Sequence, residues 1–427
     1  MKIKRLLCLA LVPMIVLMSS CSGGKENQAV TQSTEAEIDY SGTILKVNDR
    51  TAGTDFSTGV GQLNYQSLFM DTDIKFRSTN YSMDETRLKL LAGDSDIDIY
   101  IISASEIPSF IENGFYTPFE SEVIDEYISQ CHEMLQEYSY IDGKAAFVPV
   151  LLSIPAILIP KSAIEETGVK YSDIEYLDGY LEFARSYEGD RIAFTNGALL
   201  FFELESQYQH YYCDFANKQI DYMTPEYLEL YEKMLSGYLR YAQEPGAPEG
   251  FTHTLSGISS NSNLALMSYG LYSNYASFNE KNDGTDDVVD ATGPSSFFDK
   301  WRAFPVPKVS SKVTSTDVSA TYAMINPYSD NKEAALKVLE EIATNYYDYA
   351  ASYRFSFMFK DIAAYPEHYH PDSEIFNDFF NIVSNGFIFP YQVITSHPDI
   401  EEYQNGRATL EEAVAMYQRE VEMWLNE

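Results

Sequence analysis

Positive charge is what this sequence has least of: 29 lysines and arginines face 64 aspartates and glutamates, leaving a formal charge of −35 over 427 residues. So acidic a surface repels phosphate backbones and anionic headgroups, which excludes nucleic acid and the bare membrane surface as partners. Cysteine is scarce as well, at 4, so no disulfide framework holds this chain together, and Cys131 and Cys213 allow at most one bridge in its folded part. The apolar run 6–18 covers 13 residues, short of the roughly 20 that a spanning helix needs. Also missing are the Gly-x-Ser-x-Gly elbow, the His-Glu-x-x-His zinc helix and the Gly-x-x-x-x-Gly-Lys phosphate loop, and with them the common signatures of esterases, zinc peptidases and nucleotide hydrolases.

What is present begins at the amino end. Lys2, Lys4 and Arg5 form a basic start, the apolar run follows, and Leu17-Met18-Ser19-Ser20-Cys21 closes it. This reads as an export signal. Small residues just before a cysteine resemble the bacterial lipobox, which implies cleavage after residue 20 and a diacylglycerol on Cys21; an ordinary secretory signal is the alternative. Met18 stands where leucine is usual. Loss of Lys2, Lys4 and Arg5 takes the charge from −35 to −38. Residues 21–38 are Ser, Gly, Gln, Thr, Lys and Glu with hardly an apolar side chain to offset the entropy of ordering, so a flexible stalk is expected there. The expected location is the cell membrane, lipid-anchored on its extracytoplasmic face.

From residue 39 onward the chain can build real cores, with 45% apolar residues overall and a length that suits two or three domains. Residues 43–47 and 73–76 read as strands, 83–92 as a helix closed by Gly93, and 97–102 as a strand covered on both faces. That order is the parallel α/β pattern. A short helix over 105–113 and a longer one over 121–137 follow, then the turn dipeptide Asp142-Gly143. The apolar stretch 145–159 is interrupted by Pro149 and Pro155; proline in a strand marks an edge or break, and the stretch reads as a crossing between domains.

Several segments then resemble, in order, the motifs of family 1 extracellular solute-binding proteins of ABC importers. They are Leu91-Ala92-Gly93-Asp94-Ser95-Asp96-Ile97-Asp98, Gly114-Phe115-Tyr116-Thr117-Pro118-Phe119, Asp142-Gly143-Lys144 through Pro149, Leu264-Ala265-Leu266-Met267 through Tyr272, Phe304-Pro305-Val306-Pro307, Asn331-Lys332-Glu333-Ala334-Ala335, and Gly406-Arg407-Ala408-Thr409-Leu410-Glu411-Glu412-Ala413. Tyr272 stands where that family often has tryptophan. The resemblance implies an α/β, two-lobed, periplasmic-binding-protein-like fold, each lobe a sheet covered by helices, with hinge strands between them and the ligand in the cleft. It implies an amino-terminal lobe of 39–147 and 308–350 and a carboxyl-terminal lobe of 148–307 and 351–427. It further implies a monomer that captures a small solute, with carbohydrate favoured, and hands it to the membrane subunits of an ABC importer by hinged closure, without enzymatic activity and without a cofactor.

A neutral polyhydroxylated ligand needs flat apolar faces and planar polar groups, and in α/β sheets it lies beyond the carboxyl ends of strands. Asn48, Asp49 and Arg50 after the first strand and Ser103 and Ser105 after the third are therefore ligand-binding candidates, with Tyr272 and Trp301 on the other lobe. Each has a plainer reading: Asp49 and Arg50 as a solvated pair, Ser105 as a helix cap, Tyr272 and Trp301 as core aromatics. Tyr208, Tyr211 and Tyr212 read as packing or helix surface. The competing class is a cell-surface glycosidase using two carboxylates about 5 to 10 Å apart. No metal is expected: His368 and His370 with Asp372 have spacing suited to a strand edge, and Asp94, Asp96 and Asp98 imitate a calcium loop but put Ile99 where that loop needs glycine.

Overall fold

The alternation in Ile44–Asp49 buries Leu45 and Val47 and makes this first strand, β1, the centre of a parallel triplet. The computed structural model describes residues 42–49, 74–187, 192–195, 197–242, 265–272, 300–345, 357–365, 371–389, 402–403 and 405–426. The proposed signal, Cys21 and the stalk lie outside these residues, as do Arg50, His368 and His370. On either side of β1 lie β2 (Lys75–Thr79) and β3 (Ile99–Ser103), both parallel to it. The helix Met83–Leu91 connects β2 to β3; Ser82 accepts the Glu85 amide and the Glu85 carboxylate caps back, a reciprocal box that satisfies two orphan donors. Gly93, at φ 68°, ends it.

The helix expected over 121–137 is broken into Glu122–Gln130 and Glu133–Gln136. Cys131 is extended and bridges Phe359, and the His132 amide donates to the Met358 carbonyl at 2.9 Å, so a distant segment takes the hydrogen bonds a continuous helix would have used. Asp142 and Gly143, at φ 50° and 80°, turn a hairpin between β4 (Tyr140–Ile141) and β5 (Lys144–Ala145), the two-residue loop that this dipeptide favours.

The apolar stretch after the hairpin is one strand, β6 (Val148–Pro160), buried along its whole 13 residues. At roughly 3.3 Å per residue it runs about 43 Å. Its prolines do not stop it. The ladder to the antiparallel partner β11 (Ser319–Ile325) shifts register between Leu151 and Pro149, leaving Val150 as the extra residue; a bulge is where a missing proline N–H is tolerated. Beyond Ser153 the strand changes partners, pairing with β8 (Ala265–Tyr272) on one side and β9 (Trp301–Pro305) on the other, while β7 (Ile192–Thr195) adds parallel to β8. The sheet order is β2-β1-β3-β11-β6-β8-β7, with β9 on β6. Two short strands, β10 (Thr316–Asp317) and β12 (Gly386–Phe387), pair beside it.

Because successive residues of a strand face opposite sides, β6 serves two cores. Val148, Val150, Leu152, Ile154, Ala156 and Leu158 join the first, which gathers β1, β3, β11 and the helices Glu122–Gln130, Lys332–Thr344 and Glu374–Ser384. Ile157 and Ile159 join the second, built from the helices Leu177–Ser186, Gly197–Tyr212, Pro225–Ala242 and Leu410–Asn426. Thr409 and Glu412 cap the last of these reciprocally. The segment 308–313, expected in the amino-terminal lobe, stays with the second core: the Lys308 amide donates to the Glu175 carbonyl, and Val309 packs among its apolar side chains. The return to the first core comes with β11.

Candidate functional site

The carboxyl ends of β1 and β3 lie side by side, Asn48 opposite Tyr100 and Asp49 opposite Ile101. Ser103 ends β3 opposite Thr321 of β11, which in turn faces Leu151 of β6, and Ser319 faces Ser153. Strand ends of the first half, the start of β11 and the middle of β6 therefore converge at the joint between the two halves of the sheet. The groups presented there are mostly hydroxyls. Ser103 Oγ lies 3.0 Å from Ser105 Oγ, and the Thr321 hydroxyl is buried without a hydrogen-bond partner. Hydroxyls both donate and accept, so they suit a neutral ligand rich in hydroxyl groups.

Two of the candidate side chains are buried at the end of β1. Asn48 is 1% exposed; its amide donates to Thr86 Oγ1 at 3.1 Å and its carbonyl accepts from the Tyr81 amide at 2.7 Å. Asp49 is fully buried at the end of β1, and Arg50, with which it was expected to pair, lies outside the described residues. Ser103, not Ser105, is the cap of the short helical turn that follows: its side chain accepts the Ser105 amide, and its own amide donates to Glu106 at 2.8 Å. Ser105 keeps a hydroxyl at the joint.

On the second half, Tyr272 ends β8 opposite Ile154, next to Ser153, so its backbone reaches the joint. Trp301 does not. It starts β9 opposite Pro160, six residues further along β6 and thus about 20 Å away, and it is 4% exposed within the core. It belongs to the first core, the plainer of the two readings of this side chain.

Residues that the sequence did not single out gather on the second-core side of the joint. Ser206, on the helix Gly197–Tyr212, donates its hydroxyl to Asp317 in β10, and the Phe389 amide donates to the same carboxylate at 3.2 Å. Burial pushes the Asp317 acid up to about 6, against the opposing pull of those two hydrogen bonds. Next to it His210 lies 4.1 Å, centroid to centroid, from the Phe387 ring and packs edge-on to Phe389, and burial lowers its pKa. No spacing rule links positions 206, 317 and 389; only the packed chain brings them together. Cys131 and Cys213 are free thiols, the first in the first core and the second at the edge of the other, so they form no bridge. Among the described residues no three His, Cys, Asp or Glu side chains cluster as metal ligands.

No protein family matches the sequence, and no curated protein is similar to it. Solved structures do match over most of its length. A solute-binding protein of an ABC transporter from Agrobacterium radiobacter K84, in complex with ribitol, superposes with a TM-score of 0.66 at 14% identity, covering 91% of this chain and all of that one. The sugar-binding protein MalE of Xanthomonas citri gives 0.63 at 14% identity over 90% of this chain and 98% of its own. A solute-binding protein from Thermotoga lettingae TMO bound with α-D-tagatose gives 0.59 at 15% identity, over 90% and 99%. The fold is that of the two-lobed solute-binding proteins.

Proposed function

We propose that this chain is an extracytoplasmic, lipid-anchored solute-binding protein that captures a sugar or polyol at the joint between its lobes and delivers it to the membrane subunits of an ABC importer. The observation that carries the reading is the change of partners along β6. One strand is shared by two cores, with a hydroxyl-lined joint where it passes from one to the other, so the lobes can close over a ligand by bending a few residues, as hinged proteins do. The ligands named for the similar structures, ribitol and α-D-tagatose, support a polyhydroxylated solute. Acylation of Cys21 and a stalk of 18 residues would hold the lobes near the importer at high effective concentration.

The test is a thermal-shift screen of the chain after Cys21 against monosaccharides, polyols, oligosaccharides, amino acids and peptides. A ligand at 100 times its Kd stabilises by about 2.7 kcal/mol, so a true solute raises the melting temperature measurably. Responses confined to sugars or polyols bear out the proposal; a response only to amino acids or peptides overturns the solute class, and silence across every class overturns capture. For the anchor, Cys21→Ala expressed in a bacterial host releases the protein to the soluble fraction if lipid holds it. Retention in the membrane refutes the lipid.

A further inference from the structure

Beside the second core, the connector that leads toward β11 closes over a hollow. The start of the helix Leu177–Ser186, the end of the helix Gly197–Tyr212, the first half of the helix Pro225–Ala242 and residues 308–310 enclose a cavity of about 280 Å³. Ser103, Ser105, Thr321 and Tyr272, the residues at the joint, do not line it. Its walls are held from behind. The Lys308 amide donates to the Glu175 carbonyl at 2.8 Å, and the Leu177 amide to the Lys308 carbonyl at 3.0 Å. Gln207 accepts the Val309 amide at 3.1 Å, and Tyr212 donates to Ser310 Oγ at 2.9 Å. A wall fixed before anything binds has little ordering left to lose on binding.

The lining has an apolar part and a polar part. Leu177, Leu230 and Val309 supply aliphatic surface, and Tyr176, 41% exposed, adds an aromatic side chain at the mouth. Tyr208 and Tyr212 are already stacked on each other at 4.5 Å, and Lys312 covers the Tyr212 ring at 4.0 Å. The polar part is a row of acceptor, donor and acceptor: Lys233 Nζ lies 2.7 Å from Asp178 and 2.7 Å from Glu229. Lys308 Nζ is held by Glu175 at 2.9 Å. Ser310 Oγ accepts from Tyr212 and, at 3.2 Å, from the Lys312 amide, so its own proton is left for an outside acceptor.

We propose that this cavity is a second ligand site, separate from the joint, that takes a single neutral sugar ring.

The ligand class follows from the lining. An anion meets three carboxylates, Asp178, Glu226 and Glu229, against two lysines that carboxylates already hold. A cation has to displace those same lysines from their partners. Neighbouring hydroxyls of a neutral ring each donate and accept, so they match the row around Lys233 and the Ser310 proton without displacing a charge. The adjustment costs little, because exposed ion pairs contribute little. The C–H face of such a ring has Tyr176 and the two leucines to lie against. At just under the roughly 300 Å³ where drug-sized pockets begin, the cavity admits one ring rather than a chain of them.

The site does not rest on capture at the joint, and its test keeps the two apart. Hydrogen exchange of the full chain is followed with D-glucose, D-galactose and D-xylose in turn, and with glucosamine and glucuronate as charged comparisons. At about ten times its Kd a ligand slows opening of the segments it holds by about 10-fold. That protection is expected at 176–178, 226–233 and 308–310 with at least one neutral sugar, independently of any at 151–154 and 319–321. Tyr176→Ala and Lys233→Met, at side chains that reach solvent, are each expected to cut it by about fivefold and to leave protection at the joint unchanged. Protection by glucosamine or glucuronate and by no neutral sugar overturns the ligand class. Protection confined to the joint, or none anywhere, overturns the site, and so does protection of the cavity segments that persists undiminished in both variants. Protection of the cavity with a silent joint bears out this site and counts against capture there.

Discussion

Asp98 offers the sharpest check on how the first lobe is assembled. It is 2% exposed, just before β3, and its carboxylate accepts the Lys46 amide of β1 at 2.8 Å, the Ser329 hydroxyl at 2.6 Å and the Asn331 side-chain amide at 3.1 Å. Its own amide donates to the Lys46 carbonyl, and its carbonyl accepts the Asn326 amide, each within 3 Å. One residue therefore ties β1, β3 and the loop after β11. Asp98→Ala leaves the Lys46 amide and the Ser329 hydroxyl without partners inside the protein, whereas exposed Asn331 recovers water. Two stranded donors at 1–3 kcal/mol each predict a loss of about 3–4 kcal/mol. Asp98→Asn, which keeps one acceptor oxygen and turns a donor toward another donor, is expected to cost about half as much. The assay is urea unfolding followed by far-ultraviolet circular dichroism, comparing midpoints at unchanged slope. A shift under 1 kcal/mol for Asp98→Ala, or a larger loss for Asp98→Asn than for Asp98→Ala, refutes the accounting.

His132 is 6% exposed with Nε2 unpaired, and burial, aided by Lys360, lowers its pKa to about 4. A depressed basic pKa means its contribution to stability is present above about 6.5 and is lost as pH falls toward 4, by up to roughly 3 kcal/mol; His132→Gln should flatten the melting-temperature profile over pH 4–6.5, and an unchanged slope there would sink the assignment. In β9, the Arg302 guanidinium binds Asp378 through Nε at 2.6 Å and Nη2 at 2.8 Å, and Asp378 also accepts the Ala303 amide. Arg302→Leu strands a partly buried carboxylate and is expected to lower stability by about 2 kcal/mol, with Arg302→Lys recovering less than half because an ammonium cannot form the two-pronged contact; equal melting temperatures for Lys and Arg would refute the geometry.

The local elements were legible because their signals are local. Gly93 after the helix Met83–Leu91 and Asp142-Gly143 between short strands each produced the stop or turn that backbone sterics require. The two-lobed architecture was implied by the resemblance of several ordered segments to the solute-binding proteins. The break at Cys131 was not, since the competing hydrogen-bond partner, Met358, lies more than 200 residues away. Nor was the fate of Trp301, whose composition suits either a ligand face or a core.

By itself, the sequence determined the charge, the want of a disulfide framework, the apolar periodicities and the run that becomes β6, because these depend on residue type and near neighbours alone. The tertiary structure decided what that run does. Only the packed sheet shows β6 unbroken through two prolines, exchanging β11 for β8 and β9 beyond Ser153 while its alternate residues serve two cores. It also decided that Asn48 and Asp49 are buried at the end of β1 and that Asp317 meets Ser206 and Phe389. The physical reason is the same in each case: desolvation and hydrogen-bond satisfaction are properties of surroundings, and here the surroundings are assembled from chain segments that no sequence spacing relates.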